Sequence, residues 1–239
     1  PPWHLITFLA PDFWGNPGAH NFFGSGFYHE KMIYLGIPVF LFSFYALLSK
    51  SKNKNLSFFK WFSLITLALG FFPLGWLLYF SRLPLFSTMI PSRIFCLSTF
   101  GFCVLAAFGL DLYLRRQIKW HQWKKIFLVI GTVFFFLWLF VLYHKINLPA
   151  SHYATVSWRN LILPTGFFIS TVMVIFFPWL KKGRWAKSLA FLGLVILSIL
   201  SSLYFANKFL YFSERKFVFP EVAVLSQLKK ISGVNRIWG

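Results

Sequence analysis

Apolar residues run along this chain in long blocks separated by short polar connections. A helix that crosses the hydrocarbon core of a bilayer needs roughly 20 predominantly apolar residues at about 1.5 Å of rise each. Blocks of that order occupy 32–49, 57–80, 93–114, 126–144, 161–180 and 188–207. None shows the alternation of apolar and polar positions that a membrane-barrel strand requires. The pattern predicts an all-α integral membrane protein, a polytopic helical bundle of six spans over 32–207. Pro73 and Gly75 predict a kink in the second span. Pro164 and Pro178 are expected near the ends of the fifth, where a missing N–H is tolerated.

The two ends read differently. Residues 1–31 contain Ala10-Pro11-Asp12-Phe13-Trp14-Gly15-Asn16-Pro17-Gly18, a stretch dense in turn formers, and predict an extracytoplasmic, interfacial loop. In 208–239, Pro220 and Glu221 open a short amphipathic helix through Val222, Leu225 and Leu228. Lys229 and Lys230 suit the C-terminal end of that helix and Gly233 stops it. Residues 234–238 then read as a strand, so this segment is expected to begin an extracytoplasmic domain. The chain opens on Pro1-Pro2 and closes at Gly239, and is expected to be a piece of a longer protein.

Composition supports the bilayer as solvent. Hydrophobic residues make up 58% and charged residues 12% of the chain, whereas soluble domains carry about a quarter charged. Lys and Arg number 24 against 5 Asp and Glu, for a net charge of +19. Such a balance can signal nucleic acid, but here the basic residues sit between apolar runs. Anionic membrane lipids are their natural counter-charge, and no nucleic-acid partner is expected.

The charge also orients the spans. The connections after the first, third and fifth spans hold 12 basic residues and no acid: Lys50, Lys52 and Lys54; Arg115, Arg116, Lys119, Lys124 and Lys125; Lys181, Lys182, Arg184 and Lys187. The alternate connections carry only Arg82, Arg93, Lys145 and Arg159. The positive-inside rule then makes the basic loops cytoplasmic. A multi-pass plasma-membrane protein with both ends extracytoplasmic follows. Trp61, Trp76, Tyr79, Tyr113, Trp120, Tyr143, Trp158, Trp179 and Trp185 lie near span ends and read as interfacial anchors.

Few side chains are left to carry chemistry. Asp111 is the one acid inside a span, four residues before Arg115, where an ion pair between adjacent turns accounts for it. It shares a stripe with Arg93, Cys96, Cys103 and Ala107, which predicts that this face of the third span packs on other helices. Cys96 and Cys103 are about 10 Å apart on that face, too far for a disulfide. Asp12 and Glu30 are the acids of the outer face before the tail. Each is a candidate general base, or a partner of His20 or His29 around a divalent cation. Asp12 equally fits a turn-forming role between Pro11 and Gly15, and Glu30 a local pair with Lys31. No cofactor is evident. Arg82 and Arg93 lie at the outer surface, where Arg is disfavoured. A guanidinium there can grip a lipid-linked phosphate or snorkel to ordinary headgroups.

The run Leu83-Pro84-Leu85-Phe86-Ser87-Thr88-Met89-Ile90-Pro91-Ser92-Arg93-Ile94-Phe95, continuing to Val104-Leu105-Ala106-Ala107-Phe108-Gly109-Leu110-Asp111, resembles the bacterial membrane protein YfhO family. So do Pro11 to Pro17, Glu30 with Tyr34-Leu35-Gly36-Ile37-Pro38, and Gly233-Val234-Asn235-Arg236 in the tail. The resemblance implies a GT-C-like membrane glycosyltransferase of which this is a C-terminal membrane part. Such an enzyme takes a sugar from a polyprenyl-phosphate donor and gives it to a cell-envelope polymer. It also implies a catalytic acid in a first outer loop that lies outside this sequence. Met89 stands where the family often has a second Arg, which leaves Arg93 as the carried-over phosphate ligand. A permease or flippase subunit and a non-catalytic envelope scaffold share the same spans and remain open alternatives.

Overall fold

The computed structural model describes residues 2–50, 52–71, 73–82, 90–115, 120–148, 152–181, 183–209, 214 and 222–233. The predicted strand over 234–238, Met89 and the rest of 83–89, Arg116 and Lys119 all lie outside them. The described residues form helices and their connections, with no strand among them. Helix α1 is the short Tyr28–Lys31, α2 is Ile37–Leu48, α3 is Lys54–Leu69 and α4 is Gly75–Phe80. The longer helices are α5 (Phe95–Leu114), α6 (Trp120–Asn147), α7 (His152–Leu180) and α8 (Arg184–Phe209), and α9 is Ala223–Ser232. Four helices are long and apolar enough to cross a bilayer: Pro91–Leu114, Trp120–Asn147, His152–Leu180 and Trp185–Lys208. This is the architecture of an all-α membrane protein.

Residues Pro1–Phe209 form one unit and Leu210–Gly239 another. In the first, α2 is the hub. It packs against α5, α6, α7 and α8, and Ile37, Leu41, Tyr45 and Ala46 are fully enclosed. Its 12 residues span about 18 Å, short of a hydrocarbon core of about 30 Å. The block 57–80 is built as α3 and α4 with a break between Leu69 and Gly75. Pro73 lies in that break and has no N–H to continue a helix. At the far end of α2, Tyr45 stacks on the buried Trp123 at 5.0 Å and donates to Gln122 Oε1 at 3.1 Å. Lys60 of α3 donates to the Ser49 carbonyl just past the C-terminus of α2.

Three expectations need correction. First, the α5 stripe of Arg93, Cys96, Cys103, Ala107 and Asp111 faces outward. The buried face is Ser98, Gly101, Phe102, Leu105, Ala106 and Gly109, on the opposite side of the helix, about 180° away. Ser98 donates to Thr66 Oγ1 of α3 at 3.0 Å, and a Cβ on Gly109 would lie 2.1 Å from the Phe42 carbonyl oxygen of α2. Only a residue without a side chain lets these two backbones approach so closely. Asp111 does pair with Arg115, at 2.8 Å across one turn.

Second, Pro164 is interior. Helix α7 begins at His152, so polar residues upstream of the apolar block are also helical. Pro164 denies the Asn160 carbonyl its intrahelical donor. Third, Tyr113, Trp120 and Trp158 pack inward rather than acting as free interfacial anchors. Tyr113 donates to the Ile175 carbonyl at 2.9 Å, Trp120 lies edge-on to Phe176 at 4.5 Å, and Trp158 lies edge-on to Trp138 at 4.9 Å. Trp61, Trp76, Tyr79, Tyr143, Trp179 and Trp185 are exposed.

The contact at Gly109 sets a test of the α2–α5 packing. Gly109→Val should lower stability by at least about 1–3 kcal/mol, the usual cost of overpacking. Cys103→Val, on the exposed side of the same helix, should leave the thermal unfolding midpoint in detergent unchanged.

Candidate functional site

One end of the bundle receives the segment before α2. There α5 begins, α7 begins and α8 ends, and residues 2–36 fold over them as 3-10 turns and the single turn of α1. The segment holds its shape through its own turn formers. Asn16 accepts from the Gly18 N–H at 2.8 Å, capping the 3-10 turn at Pro17–Ala19. Its amide nitrogen donates to Asp12 Oδ1 at 3.0 Å, so both ends of the amide are in use.

Asp12 is the centre of this region. Its side chain is only 2% exposed. Tyr28 donates to Oδ1 at 2.7 Å, and Lys208 at the end of α8 reaches Oδ2 at 3.2 Å. Burial and the adjacent Asp12 carboxylate push the Tyr28 phenol far above its ordinary value, so it remains a donor. Helix α7 grips the backbone beneath. Asn160 donates to the Asp12 carbonyl at 2.6 Å, and Ser157 donates to the Phe13 carbonyl at 2.8 Å. Ser157 and Asn160 are three apart and therefore share a helical face. Lys208 also approaches Asn160 Oδ1 at 3.5 Å and lies over the Tyr204 ring at 4.5 Å.

A second cluster lies on the other side of α1. Arg93, in the 3-10 turn Pro91–Ile94 that leads into α5, reaches Glu30 Oε1 at 3.3 Å. Glu30 is 9% exposed and Arg93 60%. Glu30 therefore pairs with Arg93 rather than with Lys31, whose ammonium goes to the Ser25 carbonyl at 2.5 Å. Their chain neighbours Ser92 and Lys31, though neither Arg93 nor Glu30 itself, line a cavity of about 210 Å³. Its polar lining is His4, Lys31 and Ser92, and its apolar walls include Phe71, Trp76 and Phe95. The α3–α4 break forms one wall. A Cβ on Gly70 would meet the Phe95 ring at 2.1 Å. Burial, and then the Lys31 charge, hold the His4 imidazole down at about 4.

The structure thus joins Glu30 to Arg93 and places Asp12 in a separate, saturated network. Neither His20 nor His29 is among the hydrogen-bond partners of Asp12. Among the described residues, no group of three His, Cys, Asp or Glu side chains gathers to hold a metal ion. Arg82 is exposed, with a positive φ of 50°. Asn16, Tyr28, Asn160 and Lys208 were not anticipated. The available signals were a Lys at the very end of an apolar block and an Asn directly before another. No family model, curated protein or solved structure matches the chain.

Two outcomes follow from these clusters. Asp12→Asn and Lys208→Met should each destabilise by up to about 3 kcal/mol, the low end for breaking a buried pair, because Lys208 is one-third exposed. The double variant should cost less than the sum of the two, read from thermal unfolding in a double-mutant cycle. His4 has a folded value below its unfolded value, so the unfolded state binds more protons between pH 6.5 and about 4. Stability should therefore fall as pH drops through that window. His4→Gln should flatten the decline, measured as unfolding midpoint against pH.

Proposed function

We propose that this chain is part of a GT-C-like membrane glycosyltransferase that moves a sugar from a polyprenyl-phosphate donor to a cell-envelope acceptor, as the YfhO resemblance implies. In this reading all six apolar blocks cross the plasma membrane, the first as α2 lengthened by the non-helical residues 32–36 that precede it and the second as the α3–α4 pair. The basic connections are cytoplasmic, and both ends of the chain and the cavity lined by Lys31 and Ser92 are on the outer face.

The observation that carries the reading is the cavity lined by Ser92 and Lys31, the chain neighbours of the paired Arg93 and Glu30. A lipid-linked phosphate is an amphiphile, with an anionic head on an apolar tail. The cavity offers the matching pair, with Lys31 and Ser92 at its polar side and Phe71, Trp76 and Phe95 as apolar walls. Arg93 uses a single nitrogen on Glu30, and a guanidinium has five N–H donors. The remaining donors suit a phosphate, which Arg binds in a forked manner.

In the reaction, an acceptor hydroxyl attacks the anomeric carbon of the donor sugar. The bond from that carbon to the phosphate oxygen breaks, and polyprenyl phosphate leaves with the electron pair. Arg93 and Lys31 stabilise the negative charge that grows on the leaving phosphate. The proton of the acceptor hydroxyl goes to a carboxylate. Among the described residues Glu30, the chain neighbour of the cavity-lining Lys31, is the candidate acceptor, while the oxygens of Asp12 are committed to Tyr28, Asn16 and Lys208.

Arg93→Ala should reduce transfer from polyprenyl-phosphate hexoses by about 10²-fold or more, as when one charge-stabilising donor is removed. Membrane insertion should be intact. Unchanged transfer by a correctly inserted variant would remove the phosphate role from Arg93. Substrate uptake into vesicles with no transfer product would point to a permease instead.

A further inference from the structure

Helix α9, Ala223–Ser232, has an apolar side that no other described residue of its unit buries. Val224, Leu225 and Ile231 are exposed and no residue of the helix is buried. With about 100° between successive residues, Ile231, Val224, Leu228 and Leu225 fall within an arc of about 120°. Lys229 flanks that arc and Lys230 lies opposite its middle. The helix contains no acid. Ten residues are too few for a helix to hold in water by propensity alone. An apolar stripe of this kind calls for a surface that takes hydrocarbon on one side and cationic groups on the other.

We propose that α9 lies in the headgroup layer of an anionic bilayer, with Val224, Leu228 and Ile231 directed to the acyl boundary and the lysines to lipid phosphates. Two observations select a bilayer over a protein partner. The charge is complementary, since Lys229 and Lys230 meet no acid within the helix and anionic headgroups attract such pairs. The membrane is also within reach. Thirteen residues, 210–222, separate α9 from the end of α8, a membrane-crossing helix. Fully extended, they span at most about 45 Å. The tether supplies a high local concentration of bilayer, so a weak interfacial helix suffices. This inference is independent of glycosyl transfer and needs only that α8 crosses a membrane.

The test uses the full chain, with Cys96→Ser and Cys103→Ser, reconstituted in vesicles of phosphatidylcholine with and without phosphatidylglycerol. A nitroxide is placed by Leu228→Cys in one sample and by Ser226→Cys, on the polar side, in another. In anionic vesicles the label at 228 should show a severalfold rise in oxygen collisions relative to a water-soluble nickel chelate, while the label at 226 stays water-exposed. Lys229→Glu with Lys230→Glu should return the label at 228 to water. Three results would overturn the proposal. The label at 228 stays in water in both vesicle types. It is shielded from oxygen and nickel alike, the signature of a protein contact. Or it inserts equally whatever the lipid or lysine charge.

Discussion

The arrangement at the loop-bearing end of the bundle depends on how the Asp12 carboxylate is satisfied. A charge removed from water is tolerated only when it is paired and hydrogen-bonded. Asp12 meets that demand with three groups from two separate parts of the chain: Asn16 and Tyr28 from the outer segment, and Lys208 from the last long helix. Asn160 of α7 then holds the same residue by its backbone. The outer segment, α7 and α8 are consequently fixed by one another, because displacing any of them exposes an unpaired charge or an unmatched polar group.

This anchoring reaches the cavity through α1. That helix is a single turn of four residues, Tyr28–Lys31. Tyr28 points into the Asp12 network, Glu30 meets Arg93, and Lys31 lines the cavity. A turn this short has no stability of its own. Its orientation comes from the phenol bound to Asp12, and with it the placement of Glu30 against Arg93 and of Lys31 in the cavity wall. The saturated network and the open cluster are two sides of one small element.

Much of the architecture was legible from the apolar blocks, because length and hydropathy alone mark a helix that belongs in a bilayer. Which face of α5 turns inward was not. Two stripes of small and polar residues run along it, one through Cys96 and Cys103 and the other through Ser98, Gly101 and Gly109. Only the close approach of Phe42 on α2 and Thr66 on α3 selects the second. The partners of Asp12 escaped for a related reason. Hydropathy ends a span where polar residues start, so Asn160 and Lys208 fall just beyond the blocks 161–180 and 188–207. Those are the positions where a long helix meets an outer segment. Likewise the sequence neighbour of Glu30 is Lys31, yet its partner is 63 residues away. Adjacent residues on a helix diverge by about 100° and do not face each other.

The contrast between the two acids indicates where chemistry can take place. A group that moves protons needs a free lone pair and a route to substrate. Both carboxylate oxygens of Asp12 are bound and its side chain is enclosed, so its charge is spent on position. Glu30 holds a single guanidinium nitrogen at 3.3 Å, and Arg93 remains largely open to its surroundings. Leaving an Arg exposed costs little, and pairing it with one carboxylate fixes its aim without exhausting its donors. The buried acid keeps the shape of this end of the bundle, and that rigidity lets an exposed Arg93, held by one contact to the largely enclosed Glu30, keep a defined geometry.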